Sequence, residues 1–187
     1  MLSQTDKCFA RALDANLNSQ VMRPITERGL RSCFVNCSKG EAKRLTLPKD
    51  FAESPWDDLD FLGWRDPKAP DRAYLVVETD DRLTGVALRL ASAPGKARGF
   101  NSTSLCSFCQ TVHTGGGVAL MSARRGGDAG KQGNTVGRYL CADLACSLYV
   151  RGRKQTLLGT GDDGVPVEEK AARIRANLDE FIGSVVA

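Results

Sequence analysis

Two pairs of cysteines constrain this chain more than any other feature. Cys106 and Cys109 flank Ser107 and Phe108, and after thirty-one further residues Cys141 and Cys146 flank Ala142, Asp143, Leu144 and Ala145. A gap of two residues lets both sulfurs of one pair reach a single tetrahedral ion from a tight knuckle, and four soft ligands in two pairs suit Zn²⁺. Four thiolates leave no open position for water, so the expected ion is structural rather than catalytic. The wider second gap falls where a helix should begin. Asp143 is placed to cap that helix, Leu144 and Leu148 mark its buried side, and Cys146 falls in its first turn, where unpaired N–H groups favour a thiolate. The alternatives are a redox dithiol, a disulfide framework or four unrelated buried cysteines. An odd total of seven cysteines and an N-terminus without an apolar leader speak against disulfides. His113, the single histidine, lies close to the first pair. It can replace a cysteine as ligand, but the expectation is a solvated loop histidine.

The excursion between the pairs reads as a hairpin. Gly115 to Gly117 open a strand over Val118–Ala123, a Gly-rich turn runs from Gly126 to Gly133, and Gly137–Leu140 leads back to Cys141. Only the knuckle and the helix are expected to touch the metal.

Charge is distributed unevenly along the chain. Residues 96–154 carry nine basic and two acidic side chains, whereas residues 50–83 carry four basic and ten acidic ones. The metal-binding stretch is therefore the basic one. Such a surface meets phosphate or an acidic protein, and charge alone does not choose between them. No apolar run reaches the roughly 20 residues of a membrane span, so a reducing cytoplasm is expected. No phosphate loop is present: Arg125 and Gln132 stand where glycine and a magnesium-binding Ser or Thr belong. With no nucleophile elbow or zincin helix either, the residues give no support for an enzyme.

Taken in order, apolar residues at Phe9, Ala12, Leu13 and Leu17 predict a short helix from Asp6 to about Met22. A second helical pattern runs from Thr26 through Leu30 and Phe34 to Cys37, so that Cys33 and Cys37 share a face as small buried residues. Ser38 and Glu41 have the spacing of a capping box for a third helix ending before Pro48. Residues 48–71 hold four prolines and both tryptophans, and should wrap onto a neighbour. Asp57, Asp58, Asp60 and Asp66 read as solvated loop acids. Tyr74–Glu78 and Gly85–Ala91 predict a hairpin, and a possible third strand over Gly99–Leu105 leads into the knuckle. Pro166 opens a final amphipathic helix with Ile174, Leu178 and Phe181 on its apolar stripe and Gly183 as its stop.

These residues together resemble a known family. A strand-rich region, Cys106-x-x-Cys109, a Gly-rich hairpin, Cys141-x-x-x-x-Cys146 and a basic continuation from Tyr149 to Lys154 resemble the treble-clef domain of the elongation-factor-G-binding proteins, the FusB-type fusidic acid resistance group. The segments Phe34–Pro48 and Trp56–Trp64 look similar to the same group, so the resemblance spans about residues 30–155. It implies an α+β fold: short N-terminal helices, an antiparallel sheet continuous with a four-cysteine treble-clef zinc finger, and a C-terminal helix packed on the sheet. The expected division is a helical segment over 1–48 and an α/β domain over 49–187 with its finger at 106–154. It also implies one structural Zn²⁺ on Cys106, Cys109, Cys141 and Cys146, and a monomer that docks on elongation factor G and releases it from stalled ribosomes. Candidates for the partner surface, chosen as large or basic groups near the metal, are Phe108, Lys131, Arg138, Tyr139, Tyr149, Arg151 and Arg153. For Phe108 and Tyr149 a place in the finger core is the equal alternative. The competing reading is a module that binds ribosomal RNA or other nucleic acid through its basic finger. Sparse aromatic residues, 6% of the chain, supply little stacking for it.

Overall fold

The computed structural model describes residues 21–79, 82–91, 102–159 and 163–187. The helix expected from Asp6 lies outside these residues except at its end, where Val21 and Met22 are not helical. Thr26 accepts a hydrogen bond from the Gly29 amide and opens α1 (Glu27–Ser32). The predicted capping box opens α2 (Lys39–Arg44): Ser38 Oγ accepts from the Glu41 amide while the Glu41 carboxylate accepts from the Ser38 amide. The helix expected to reach Cys37 stops five residues short. Phe34 leaves it to form a parallel bridge with Gly85, a tertiary contact that overrides the local pattern. Cys33 and Cys37 therefore share no helix face. Both are half-buried free thiols that burial pushes above the ordinary value, Cys33 to about 11.

A single turn of 3₁₀ helix (Trp56–Asp58) precedes seven strands: β1 (Leu62–Arg65), β2 (Arg72–Thr79), β3 (Arg82–Leu90), β4 (Ser104–Leu105), β5 (Val112–His113), β6 (Val118–Arg124) and β7 (Thr135–Cys141). A one-turn helix α3 (Gly127–Lys131) sits in the turn between β6 and β7, where only a Gly-rich loop was expected. Helices α4 (Cys146–Val150) and α5 (Val167–Val186) complete the chain. The main sheet is antiparallel throughout, in the order β1-β2-β3-β6-β7, and the small hairpin β4-β5 is inserted between β3 and β6. Of the predicted strand over Gly99–Leu105, Ser104–Leu105 belongs to this hairpin and 99–101 lie outside the described residues. Strand β1 was not expected. Leu62 and Trp64 are its only outward alternation, too short among the prolines to register as a strand.

Period-two alternation gives the sheet two apolar faces. Leu75, Val86, Leu88, Met121 and Leu140 point to an inner face, where Ile174, Leu178, Phe181 and Val185 of α5 cover them. Tyr74 and Val76 point outward beside Leu62 and Trp64, and the N-terminal segment covers them with Met22, Leu30 and Leu45. Each such side chain, fully buried, contributes about 1.5–3 kcal/mol of transfer free energy. Gly183 does not stop α5. Apart from its chain neighbours and the helix's own backbone, no atom lies within 4 Å of where its Cβ would stand, and the helix runs on through buried Val185 to Val186. Burial of Val185 offsets the roughly 1 kcal/mol that a glycine costs inside a helix. Among the described residues no helix is long and apolar enough to cross a membrane.

Candidate metal centre

Three local devices position the four sulfurs: a knuckle, a strand end and a helix start. Cys106 and Cys109 belong to the knuckle that joins β4 to β5, closed by the bonds Gln110 N–H to Cys106 C=O (2.9 Å) and Cys106 N–H to Thr111 C=O (3.1 Å). Cys141 is the last residue of β7, and Cys146 is the first of α4. One non-glycine residue at each pair takes the left-handed conformation, Gln110 just after the first at φ 59° and Leu144 within the second at φ 57°. That costs roughly 1–2 kcal/mol apiece, and it turns the chain sharply beside a ligand. Leu144 is thus buried as expected, but ahead of the helix rather than on it. Asp143 caps differently from the expectation as well. Its Oδ1 accepts from the Ala145 amide at 3.1 Å, two residues on, in an Asx turn that precedes α4.

The four Sγ atoms lie within 4.8 Å of one another, all buried, with Cys106–Cys146 at 3.7 Å and Cys109–Cys141 at 3.6 Å. A tetrahedron of sulfurs about 2.3 Å from Zn²⁺ has edges of about 3.8 Å, so the quartet fits the ion. Hydrogen bonds from Cys109, Cys141 and Cys146 drive the Cys106 thiol far down, and the same crowding drives Cys141 and Cys146 up. A divalent cation resolves that competition by allowing all four to be thiolates. Among the described residues these cysteines are the one group arranged to hold a metal.

Around the centre the structure corrects three expectations. His113 is not a solvated loop residue. It ends β5, is 4% exposed, sets its Nε2 3.3 Å from Cys141 Sγ and meets the Tyr149 ring edge-on at 4.8 Å. Burial lowers its pKa, which favours the neutral ring. Nor are Asp60 and Asp66 solvated acids. Asp60 is 3% exposed and receives Arg151 through two bonds, 2.6 and 3.0 Å, and Arg175 through a third at 3.0 Å. Its backbone N–H donates to Ser147 Oγ at 2.9 Å, so one residue fastens the segment before β1 to both α4 and α5. For Asp66, burial alone would raise the pKa. Bonds from the Lys68 amide, Thr46 and Tyr74 outweigh it and hold the carboxyl below its usual range.

The candidates for the partner surface separate by location. Phe108 is fully buried between Phe61 and Phe181, ring centres 6.0 and 5.7 Å away, and Asn177 holds its carbonyl from α5. Arg151 is largely buried on Asp60. Tyr149 is half-buried, its hydroxyl donating to Asp143 Oδ2 at 2.9 Å and its ring under Lys154. At the surface, Lys131 pairs with Asp128, Arg138 with Glu180 and Arg153 with Asp58, while Tyr139 lies on the outer face of β7, partly exposed. Sequence reasoning missed a groove of about 570 Å³ between the knuckle, the end of α4 and the start of α5. Tyr149 and Lys154 line it, together with Val112, Leu158 and Val167, apolar side chains that are all exposed. The sequence marker that could have found it is Leu157-Leu158, two large apolar residues in a polar, glycine-flanked turn.

The family model described as FBP C-terminal treble-clef zinc-finger matches residues 29–185. The fold is similar to that of the fusidic acid resistance protein FusC, with a TM-score of 0.54 and 16% identity over 98% of this chain and 68% of that one. No curated protein matches in sequence. With the family model and the four-sulfur geometry together, the quartet is the site of one structural zinc ion.

Proposed function

From a chain that belongs to the FBP C-terminal treble-clef zinc-finger family, we propose a protein that binds elongation factor G in the cytoplasm and promotes its release from ribosomes stalled by fusidic acid. The observation that carries this reading is the exposed apolar rim of Val112, Leu158 and Val167 directly beside the zinc-fixed knuckle and helix. An apolar surface held open next to a rigid metal centre suits a protein partner. The likeness of fold to a fusidic acid resistance protein supports the same direction. Binding, not bond cleavage, is the work done: zinc fixes the finger, a preformed surface meets the factor, and binding energy shifts the ribosome-bound equilibrium toward release. Tyr149, Tyr139 and Arg153 extend the proposed surface, with Phe108 and Arg151 supporting it from beneath, whereas Lys131 sits at the opposite end of the β6-β7 hairpin, where Gly126 bonds Val185 of α5, and half-buried Arg138 pairs with Glu180 further along that helix.

The nucleic-acid alternative is weakened by pairing. Lys131, Arg138, Arg151, Arg153 and Lys154 of the basic stretch all have carboxylate partners, which leaves less charge for phosphate. Calorimetric titration of the zinc-loaded protein into purified elongation factor G, at two salt concentrations and with a metal-stripped control, tests the reading. One-to-one binding that needs zinc is expected. Absence of heat with the factor, alongside salt-sensitive binding to ribosomal RNA, would overturn it.

A further inference from the structure

A zinc ion bound by four thiolates carries a net charge of −2, and burying such a group is costly unless neighbouring donors share the charge. One side chain from outside the quartet is held against a site sulfur with no freedom to leave. His113 Nε2 is 3.3 Å from Cys141 Sγ. Three contacts fix the orientation of the ring. Its backbone pairs with Ser104 in the β4-β5 hairpin, its ring makes a T-shaped contact with Tyr149, and Gly117 packs against its Cβ and Nδ1. A Cβ on Gly117 would stand 2.7 Å from His113 Cβ and 2.8 Å from Nδ1, so only glycine permits the imidazole to sit where it does. The histidine is also not a fifth member of the quartet, because the mutually close ligand atoms are the four sulfurs alone.

We propose that His113 is an outer partner of the zinc centre, carrying its proton on Nε2 and donating it in a hydrogen bond to the Cys141 thiolate. The bond draws charge off one sulfur, holds that sulfur's lone pair away from electrophiles and strengthens retention of the metal. Cys141 is thereby the protected thiolate of the four.

The single histidine makes the test direct. In wild-type protein loaded with cadmium-113, the imidazole nitrogens should report the Nε2–H tautomer, with scalar coupling between the metal and that proton through the Cys141 sulfur. A proton on Nδ1 instead, or a Nε2 proton without coupling, overturns the proposal and requires no variant to fold. Substitution supplies the second reading. His113→Gln can return an N–H donor near the Nε2 position, whereas His113→Phe keeps the packing on Tyr149 and removes the donor. Chelator competition should show zinc bound roughly tenfold more weakly in His113→Phe, and iodoacetamide should alkylate Cys141 faster. The Gln variant should lie close to wild type in both. Equal behaviour of the two variants would reduce His113 to a packing residue.

Discussion

Arg151 lays its guanidinium across the Asp60 carboxylate with Nη1–Oδ2 at 2.6 Å and Nη2–Oδ1 at 3.0 Å, the acid wholly inside the protein. The pair joins residues 91 positions apart and holds the zinc-bearing helix α4 to the strand region. Removing Arg151 takes two of the three charged hydrogen bonds from the buried carboxylate and leaves it on Arg175 alone, so the cost stays below the roughly 3–5 kcal/mol of a fully stranded buried charge. Arg151→Ala should therefore lower the free energy of unfolding by about 1–3 kcal/mol, read as a lower urea midpoint at unchanged m, and Arg151→Lys should recover only part of it because lysine cannot make the two-pronged contact. An unchanged midpoint in Arg151→Ala would return that residue to the surface.

Withdrawal of zinc should act locally first. The metal joins β4, β5, β7 and α4, whereas β2 and β3 are joined along their whole length by backbone pairing and covered on both faces. Chelation is expected to abolish amide-exchange protection in the knuckle and in α4 before it affects Leu75, Val76 and Val86. Simultaneous loss everywhere would mean that the sheet cannot stand without the metal.

Leu158→Asp should separate binding from folding. The side chain is 57% exposed on a turn, so its replacement should move stability by no more than about 0.5 kcal/mol. It should nevertheless weaken the proposed contact with elongation factor G at least tenfold in titration. A variant that binds like wild type would exclude the groove while leaving the partner assignment standing.

Asp66 sets an acid limit. Its folded pKa lies below the unfolded value of about 3.9, so its contribution is complete above that value and is lost as pH falls through the folded one. The stability difference between wild type and Asp66→Asn should be constant at neutral pH and shrink on acidification below about pH 4. A difference that grows on acidification would reverse the assignment.

What could be read from the sequence was whatever repeats locally or follows from chemistry at short range. Cys106, Cys109, Cys141 and Cys146 announce themselves by spacing, the Ser38–Glu41 box by a three-residue offset, and α5 by its apolar stripe. What could not be read depends on contacts across long stretches of chain. Asp60 resembles its solvated neighbours Asp57 and Asp58 until Arg151 and Arg175 arrive from 91 and 115 residues away. His113 reads as a loop residue until β7 brings Cys141 to it. Helix α1 ends where Phe34 finds Gly85, a partner that no window of helical periodicity contains.

The inner ladder between β3 and β6 spans only Leu88–Leu90 against Met121–Ala123, and at its next position the side chain of Asn36 stands in for a strand. Its Oδ1 accepts from the Ala87 amide at 2.8 Å, and its Nδ2 donates to the carbonyls of Ala87 and Arg124, both at 2.9 Å. A fragment cut to begin at residue 49 would retain every zinc ligand and still arrive with a seam open in its sheet, the Ala87 amide turned toward water or toward another molecule's edge. The N-terminal segment thus acts as a stitch, and shorter versions of the chain made for laboratory use should begin ahead of it.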